Sequence, residues 1–168
     1  MPTPSQLAKS GKEHGEQVAL FAWAAVAAFR GFAAANDEAT YSKRDVAEGY
    51  GTQDAVLPLK WFHAIPNGGS RGDDEKTRAI RGGQLKAEGV KNGVFDTFWP
   101  CPRGRYAGLY IEMKRPALRP KNAGSSGGVS DEQNEFGQFG HDQGYCMRVA
   151  WSWREAADII EAYWKGEL

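Results

Sequence analysis

Gly93-Val94-Phe95-Asp96-Thr97-Phe98-Trp99 and Gly108-Leu109-Tyr110-Ile111-Glu112-Met113-Lys114, separated by a turn at Pro102–Gly104, are the segments on which the fold turns. Each reads as a strand bounded by glycine or proline. Side chains alternate faces along a strand, so Tyr110, Glu112 and Lys114 share one face and Leu109, Ile111 and Met113 the other. The apolar trio marks the core side. If the two segments pair as an antiparallel hairpin, Asp96 joins Glu112 and Lys114 on one side of a sheet.

Upstream, Val18, Phe21, Ala25 and Phe29 recur at helical spacing, as do Leu20, Trp23 and Ala27. They predict a helix over Glu13–Phe29 that stops at Gly31. Residues 32–57 read weakly, as a helical insertion or an ordered loop. Leu59–Ile65 reads as a strand ending at the turn Pro66-Asn67-Gly68-Gly69. Asp73–Glu88 reads as a helix, weakened by Gly82-Gly83 and stopped at Gly89. Trp61 and Trp99 are expected to pack within strands.

Downstream, residues 116–128 are rich in Pro, Gly, Ser and Asn and predict a mobile loop. Ser130-Asp131-Glu132-Gln133 fits a capping box opening a helix to about Gln143. Tyr145–Ala150 reads as a strand. Ser152-Trp153-Arg154-Glu155 fits a second box before a helix to about Trp164. The order α-β-α-β-β-α-β-α predicts a mixed sheet with helices against it, an α/β or α+β sandwich. Residues 1–168 are expected to form a single domain.

Composition narrows the function classes. The chain has 168 residues, 41% of them apolar and 12% aromatic, enough for a sizeable core. Nothing approaches about 18 consecutive apolar residues, so no membrane span is expected. Met1–Gly11 lacks a basic region followed by an apolar one, so no signal peptide is expected. Cys101 and Cys146 have no metal-type spacing, and a reducing cytoplasm, bacterial or phage-infected, is the expected compartment. His14, His63 and His141 lack zinc-ligand spacing. The formal net charge is zero, but Arg103–Lys121 holds six basic residues (Arg103, Arg105, Lys114, Arg115, Arg119, Lys121) against Glu112 alone. Such a patch either holds a phosphate backbone or is a solvated loop.

An Asp, a Glu and a Lys on one sheet face suit phosphodiester hydrolysis. Mg²⁺ takes oxygen ligands and keeps several waters. Two carboxylates can hold it and leave positions open for a phosphate oxygen and a water, whose pKa the metal lowers. A lysine beside them stabilises developing negative charge. The same residues also read as a surface Glu–Lys pair of little energetic weight, with Asp96 capping a turn. Arg71 and Lys86 are candidate phosphate contacts, as are Arg103 and Arg105 in the hairpin turn and Arg115 beside the lysine. Each is equally an ordinary surface charge.

The segments Asn67–Arg71, Leu85–Asp96 and Gly108–Lys114, followed by Ser130–Gln133, Gly144-Tyr145 and Trp153–Ala157, closely resemble the VRR-NUC family. This is the virus-type replication-repair nuclease branch of the PD-(D/E)xK superfamily. The resemblance covers most of residues 13–160 in the family's order. It implies a restriction-endonuclease-like core and a divalent metal, Mg²⁺ with Mn²⁺ able to substitute. On this resemblance Asp96 and Glu112 are the metal-binding acids and Lys114 the catalytic lysine. Glu16 resembles the first-helix glutamate that joins the metal site, with Glu13 its rival. Gln133 matches a glutamine near the site, a role compatible with its capping box. Two features depart from the pattern: Phe95 stands where a proline usually precedes the aspartate, and the 116–128 loop is longer than usual.

The resemblance implies an endonuclease that cuts DNA. Stand-alone members are similar to Holliday-junction resolvases acting as homodimers, so branched DNA is the expected substrate, junctions ahead of flaps. The rivals are a restriction-type endonuclease, for which no appended recognition domain is visible, and a DNA-binding module without catalysis. Gene context separates two of them: replication and packaging neighbours favour a phage resolvase, a methyltransferase neighbour favours restriction.

Overall fold

The structure is a computed structural model that describes residues 2–41, 52–66 and 75–168. Among these, four strands form one mixed sheet in the order β1 (His63–Ala64), β2 (Thr97–Trp99), β3 (Leu109–Met113), β4 (Cys146–Ala150). The β2–β3 pair is the antiparallel hairpin the sequence predicts, with Thr97 opposite Ile111 and Trp99 opposite Leu109. β4 runs parallel to β3, with Val149 opposite Glu112. A parallel neighbour requires a crossover, and the chain makes it through residues 114–145, which include α5 (Asp131–Asp142).

One face of the sheet carries the core. Leu109, Ile111 and Met113 are fully buried there with Cys146 and Ala150. Two helices cover this face: α2 (Glu13–Arg30) and α6 (Trp153–Lys165). Alanines at 19, 24, 27 and 28 keep one side of α2 thin, so Leu20 and Trp23 also reach full burial. Gly31 ends α2 at φ +85°, in a backbone region open to glycine. Ser152 caps α6 by accepting from the Glu155 amide, and Gly166 closes it in the left-handed conformation. The Glu155 carboxylate reaches back to the amide of Trp151 rather than of Ser152, so the second half of that expected box is displaced by one residue. Cys101 and Cys146 are free and buried.

Several boundaries differ from the sequence reading. Leu59–Ile65 is not a full strand. Residues Leu57–Trp61 form a 3₁₀ turn begun by Pro58, and only His63–Ala64 pair with β2. Proline pre-sets the turn's backbone angle, and Leu59 is buried in the core cluster with residues of α2. Trp61 consequently lies outside any strand and is 64% exposed, whereas Trp99 is fully buried in β2. Two short helices, α1 (Pro4–Ala8) and α3 (Phe32–Asn36), were not resolved from periodicity. The expected insertion is described at 32–41 and 52–57, where the amides of Thr52 and Val56 donate to carbonyls of α2; residues 42–51 lie outside the described residues. So do the turn Asn67–Gly69 and Arg71. α4 is described over Glu75–Ala87 and continues through Gly82-Gly83. The 116–128 segment opens with a 3₁₀ turn at Pro116–Leu118 and rests on the start of α6, with Trp151 Nε1 donating to the Gly127 carbonyl.

Candidate active site

Asp96 sits immediately before β2, on the same side of the chain as Phe98, whose ring stacks on Tyr110 at 4.3 Å between centroids. Tyr110 precedes Glu112 by one strand repeat. The period-two pattern therefore delivers Asp96 and Glu112 to one face, opposite the core. The Oδ2 of Asp96 accepts from the Met113 amide at 2.9 Å, which locks the aspartate to the end of β3.

Glu112 and Lys114 are both buried, at 1% and 7% exposure, so they are not a surface ion pair. Lys114 Nζ donates to Glu112 Oε1 at 2.7 Å and to Gln133 Oε1 at 3.0 Å. The Nε2 of Gln133 donates to the same Glu112 oxygen. Gln133 Oε1 also accepts from the Ser130 amide, completing the capping box of α5. One side chain thus closes the cap at the start of α5 and contacts both Glu112 and Lys114.

The other carboxylate oxygen, Glu112 Oε2, is buried with no partner among the described residues. Burial and the charge of Asp96 raise the Glu112 carboxyl to about 7, outweighing the downward pull of Lys114. An uncompensated buried carboxylate oxygen is costly, and a cation would relieve the cost. These residues line a cleft of 290 Å³ with Glu13, Asn92, Gly93, Val94, Ser130 and Glu132. Gly93, at φ +83°, lets the chain pass the start of α5; a Cβ there would come within 2.6 Å of the Glu132 backbone.

Of the two first-helix acids the sequence offers, Glu13 lines this cleft and Glu16 does not. Burial raises the Glu13 carboxyl, Lys114 lowers it, and Asp96 raises it again, so its charge is felt at the site. Glu16 lies one turn further along α2 and is buried at 4%. Its Oε2 accepts from the Trp153 amide at 2.8 Å, satisfying an orphan donor at the start of α6. Helical periodicity offers both glutamates, and only the arrival of α6 decides between them. Asn92 and Glu132 line the cleft without having been singled out. The Asn92-Gly93 turn directly before the Asp96 segment is a signal for Asn92, and the Ser130 cap of α5 for Glu132.

The expected DNA contacts separate. Arg115 is exposed beside Lys114, and its charge reaches Glu13. Lys86 is exposed near the end of α4 and does not line the cleft. Arg103 and Arg105 lie in the β2–β3 turn, at the opposite end of the strands from Asp96 and Lys114, on the order of 15 Å away at strand rise. Arg103 packs 3.5 Å from the Trp164 ring centroid and Arg105 donates to the Tyr106 hydroxyl. Arg71 lies outside the described residues. Among the described residues no set of three or more His, Cys, Asp or Glu side chains is gathered to hold a metal ion, and no helix is long and apolar enough to cross a membrane.

No family model matches the sequence, and no curated protein does. Comparison with solved structures finds a "VRR_NUC domain protein" at 23% sequence identity with a TM-score of 0.53, covering 92% of this chain and 88% of that one. The chain shares its fold with that protein over nearly its whole length, and among the described residues that fold is a mixed sheet flanked by helices.

Proposed function

We propose that the chain is a VRR-NUC nuclease, a metal-dependent enzyme that hydrolyses DNA phosphodiester bonds. The observation that carries this reading is the convergence of Asp96, Glu112 and Lys114 in one cleft, with a buried carboxylate oxygen left unpartnered among the described residues. A magnesium-type site fits such a donor set. Mg²⁺ is ordinarily held by one or two carboxylates and otherwise by water and substrate oxygens, so it needs no cluster of three protein ligands. Asp96 and Glu112 would hold it, with Glu13 adding to the acidic wall. When bound, the ion supplies a water of lowered pKa and neutralises charge on the phosphate.

The remaining work falls to the protein's own groups. Lys114 has three donors; two engage Glu112 and Gln133, and the third is available to a phosphate oxygen or the attacking water. Gln133 fixes the direction of that ammonium. Arg115 at the mouth offers a cation to the incoming backbone. Even beside Lys114 the charge of Asp96 bears on Glu112, which favours uptake of a divalent ion.

The substrate in this proposal is branched DNA, with a four-way junction cut by a homodimer as the leading case. Two sites related by a two-fold axis match two strands of a symmetric junction. The test is cleavage of a labelled four-way junction with Mg²⁺, with Mn²⁺ and with chelator, by wild type and Lys114→Ala, alongside the mass of the protein in solution. Paired, metal-dependent nicks lost in the variant are the expected result. A monomer that cuts plain duplex as fast as a junction defeats the resolvase reading. Absence of any metal-dependent cutting defeats the nuclease reading.

A further inference from the structure

Beside the candidate active site lies a second, larger cleft of 520 Å³, between α5 and β4. Its walls include Phe95, Val149 and Trp151, and its polar groups include Asn134, Gln138 and Arg148. Gln133 lines both clefts. A strand whose phosphate lies against Lys114 therefore has this cleft directly across Gln133.

We propose that the second cleft receives an unpaired nucleobase of the DNA strand being cut, from a nucleotide flanking the scissile phosphate. This rests on the nuclease reading above and specifies its substrate. Apolar and aromatic walls with a few amide and guanidinium groups suit a flat heterocycle whose edge carries donors and acceptors. The amide of Asn134 has no partner among the described residues, and that of Gln138 engages Asp142 through Nε2 alone, leaving its oxygen available. Arg148 donates to the Met147 carbonyl and has no ion-pair partner among the described residues.

The cleft is built by close backbone packing. The Trp151 indole is held by its hydrogen bond to the Gly127 carbonyl at 2.9 Å. Gly127, at φ +59°, lies so close that a Cβ would sit 2.7 Å from the ring. On the opposite wall, a Cβ at Gly137 would meet the Phe95 ring at 3.4 Å, so the absence of a side chain there leaves room. A base stacked and paired within a duplex cannot enter such a recess. A branch point, a flap or a splayed arm supplies one that can.

The test pairs a binding readout with a cleavage readout on the full chain. In the first, a forked DNA carries 2-aminopurine at successive unpaired positions near the branch and is titrated with wild type in chelator. A position-specific fluorescence change is expected, and Gly137→Leu, which fills the cleft, abolishes it. In the second, each nucleotide flanking the mapped cut is replaced in turn by an abasic residue. For wild type, one position is expected to slow cutting about tenfold, the scale of losing one stacked base. That ratio of base-bearing to abasic rates falls towards one in Gly137→Leu and to an intermediate value in Asn134→Ala. Asn134 is exposed, so its variant keeps the test decisive should Gly137→Leu fail to fold. Equal rates at every position, with no position-specific fluorescence change, overturn the proposal. If wild type cuts nothing, the nuclease reading falls and the fluorescence alone decides whether the cleft takes a base.

Discussion

The Glu16 carboxylate accepts a hydrogen bond from the backbone amide of Trp153 at 2.8 Å, fastening the start of α6 to the first turn of the protein's longest described helix. Removing a buried acceptor leaves that amide unsatisfied, at a cost of about 1–3 kcal/mol. Glu16→Ala is therefore expected to lower the melting temperature by about 3–10 °C. Glu13→Gln is expected to leave it nearly unchanged and to weaken metal-dependent cleavage about tenfold or more. Thermal unfolding and cleavage rates on the two variants check this; an exchange of the two effects would return Glu16 to the site.

Glu112 gives the apoprotein a defined pH dependence. Its folded pKa, raised by burial and Asp96 to about 7, exceeds the ordinary value of 4.5. Below 4.5 this group's contribution to stability is complete; it is lost as pH rises through about 7, because the folded state must ionise a buried carboxyl. The full span is on the order of 3 kcal/mol. Chemical denaturation between pH 4.5 and 8 is expected to show the decline, and Glu112→Gln to flatten it. Mg²⁺ affinity runs the other way, strengthening as pH passes about 7.

Lys114→Met removes the ammonium and keeps much of the stem. Loss of a positioned charge at a reacting phosphate is expected to reduce cleavage about 100-fold or more. The variant also leaves Glu112 without its nearest cation, so the Glu112 carboxyl rises further. Single-turnover rates, with a direct titration of the carboxyl by infrared difference spectroscopy, test both parts.

Gln133→Ala separates helix capping from positioning. The amide holds Lys114 and Glu112 and closes the Ser130 capping box. Gln133→Glu keeps the acceptor for the Ser130 amide and loses the donor to Glu112. Both variants are expected to lose cleavage by about 10–100-fold, while Gln133→Glu retains more of the stability. Equal activity in wild type and Gln133→Glu would reduce the residue to a cap.

Gly93→Ala tests how tightly the cleft is formed. The residue needs φ +83°, and its added Cβ would press on the Glu132 backbone at 2.6 Å. A loss of about 1–3 kcal/mol is expected from the strained backbone, with a rise in the Mg²⁺ concentration needed for cleavage. Circular dichroism melting and a metal titration measure the two.

The hairpin, the following helix with its capping box, β4 and the last helix were legible because each carries a local signal. Strand alternation put Glu112 and Lys114 together, and Ser130 with Gln133 announced the helix that brings the amide to them. What could not be read was set by distant packing. Leu59 alternates as a strand would, but Pro58 and the face of α2 turn it into a 3₁₀ segment. The choice between Glu13 and Glu16 depends on where α6 begins. The second cleft depends on glycines at 127 and 137 facing aromatic rings from other segments, a pairing with no sequence spacing.

The hydrogen bond from Trp153 to Glu16 spans 137 residues, which bears on the order in which the protein is made. Chains emerge N-terminus first, and α2 is synthesised long before the partner its buried carboxylate requires. Until residue 153 leaves the ribosome, that glutamate must stay hydrated, and α2 lacks its final seat against the sheet. Glu13 rides on the same helix, so the acidic cleft takes its final form only once residue 153 has emerged and α6 can dock.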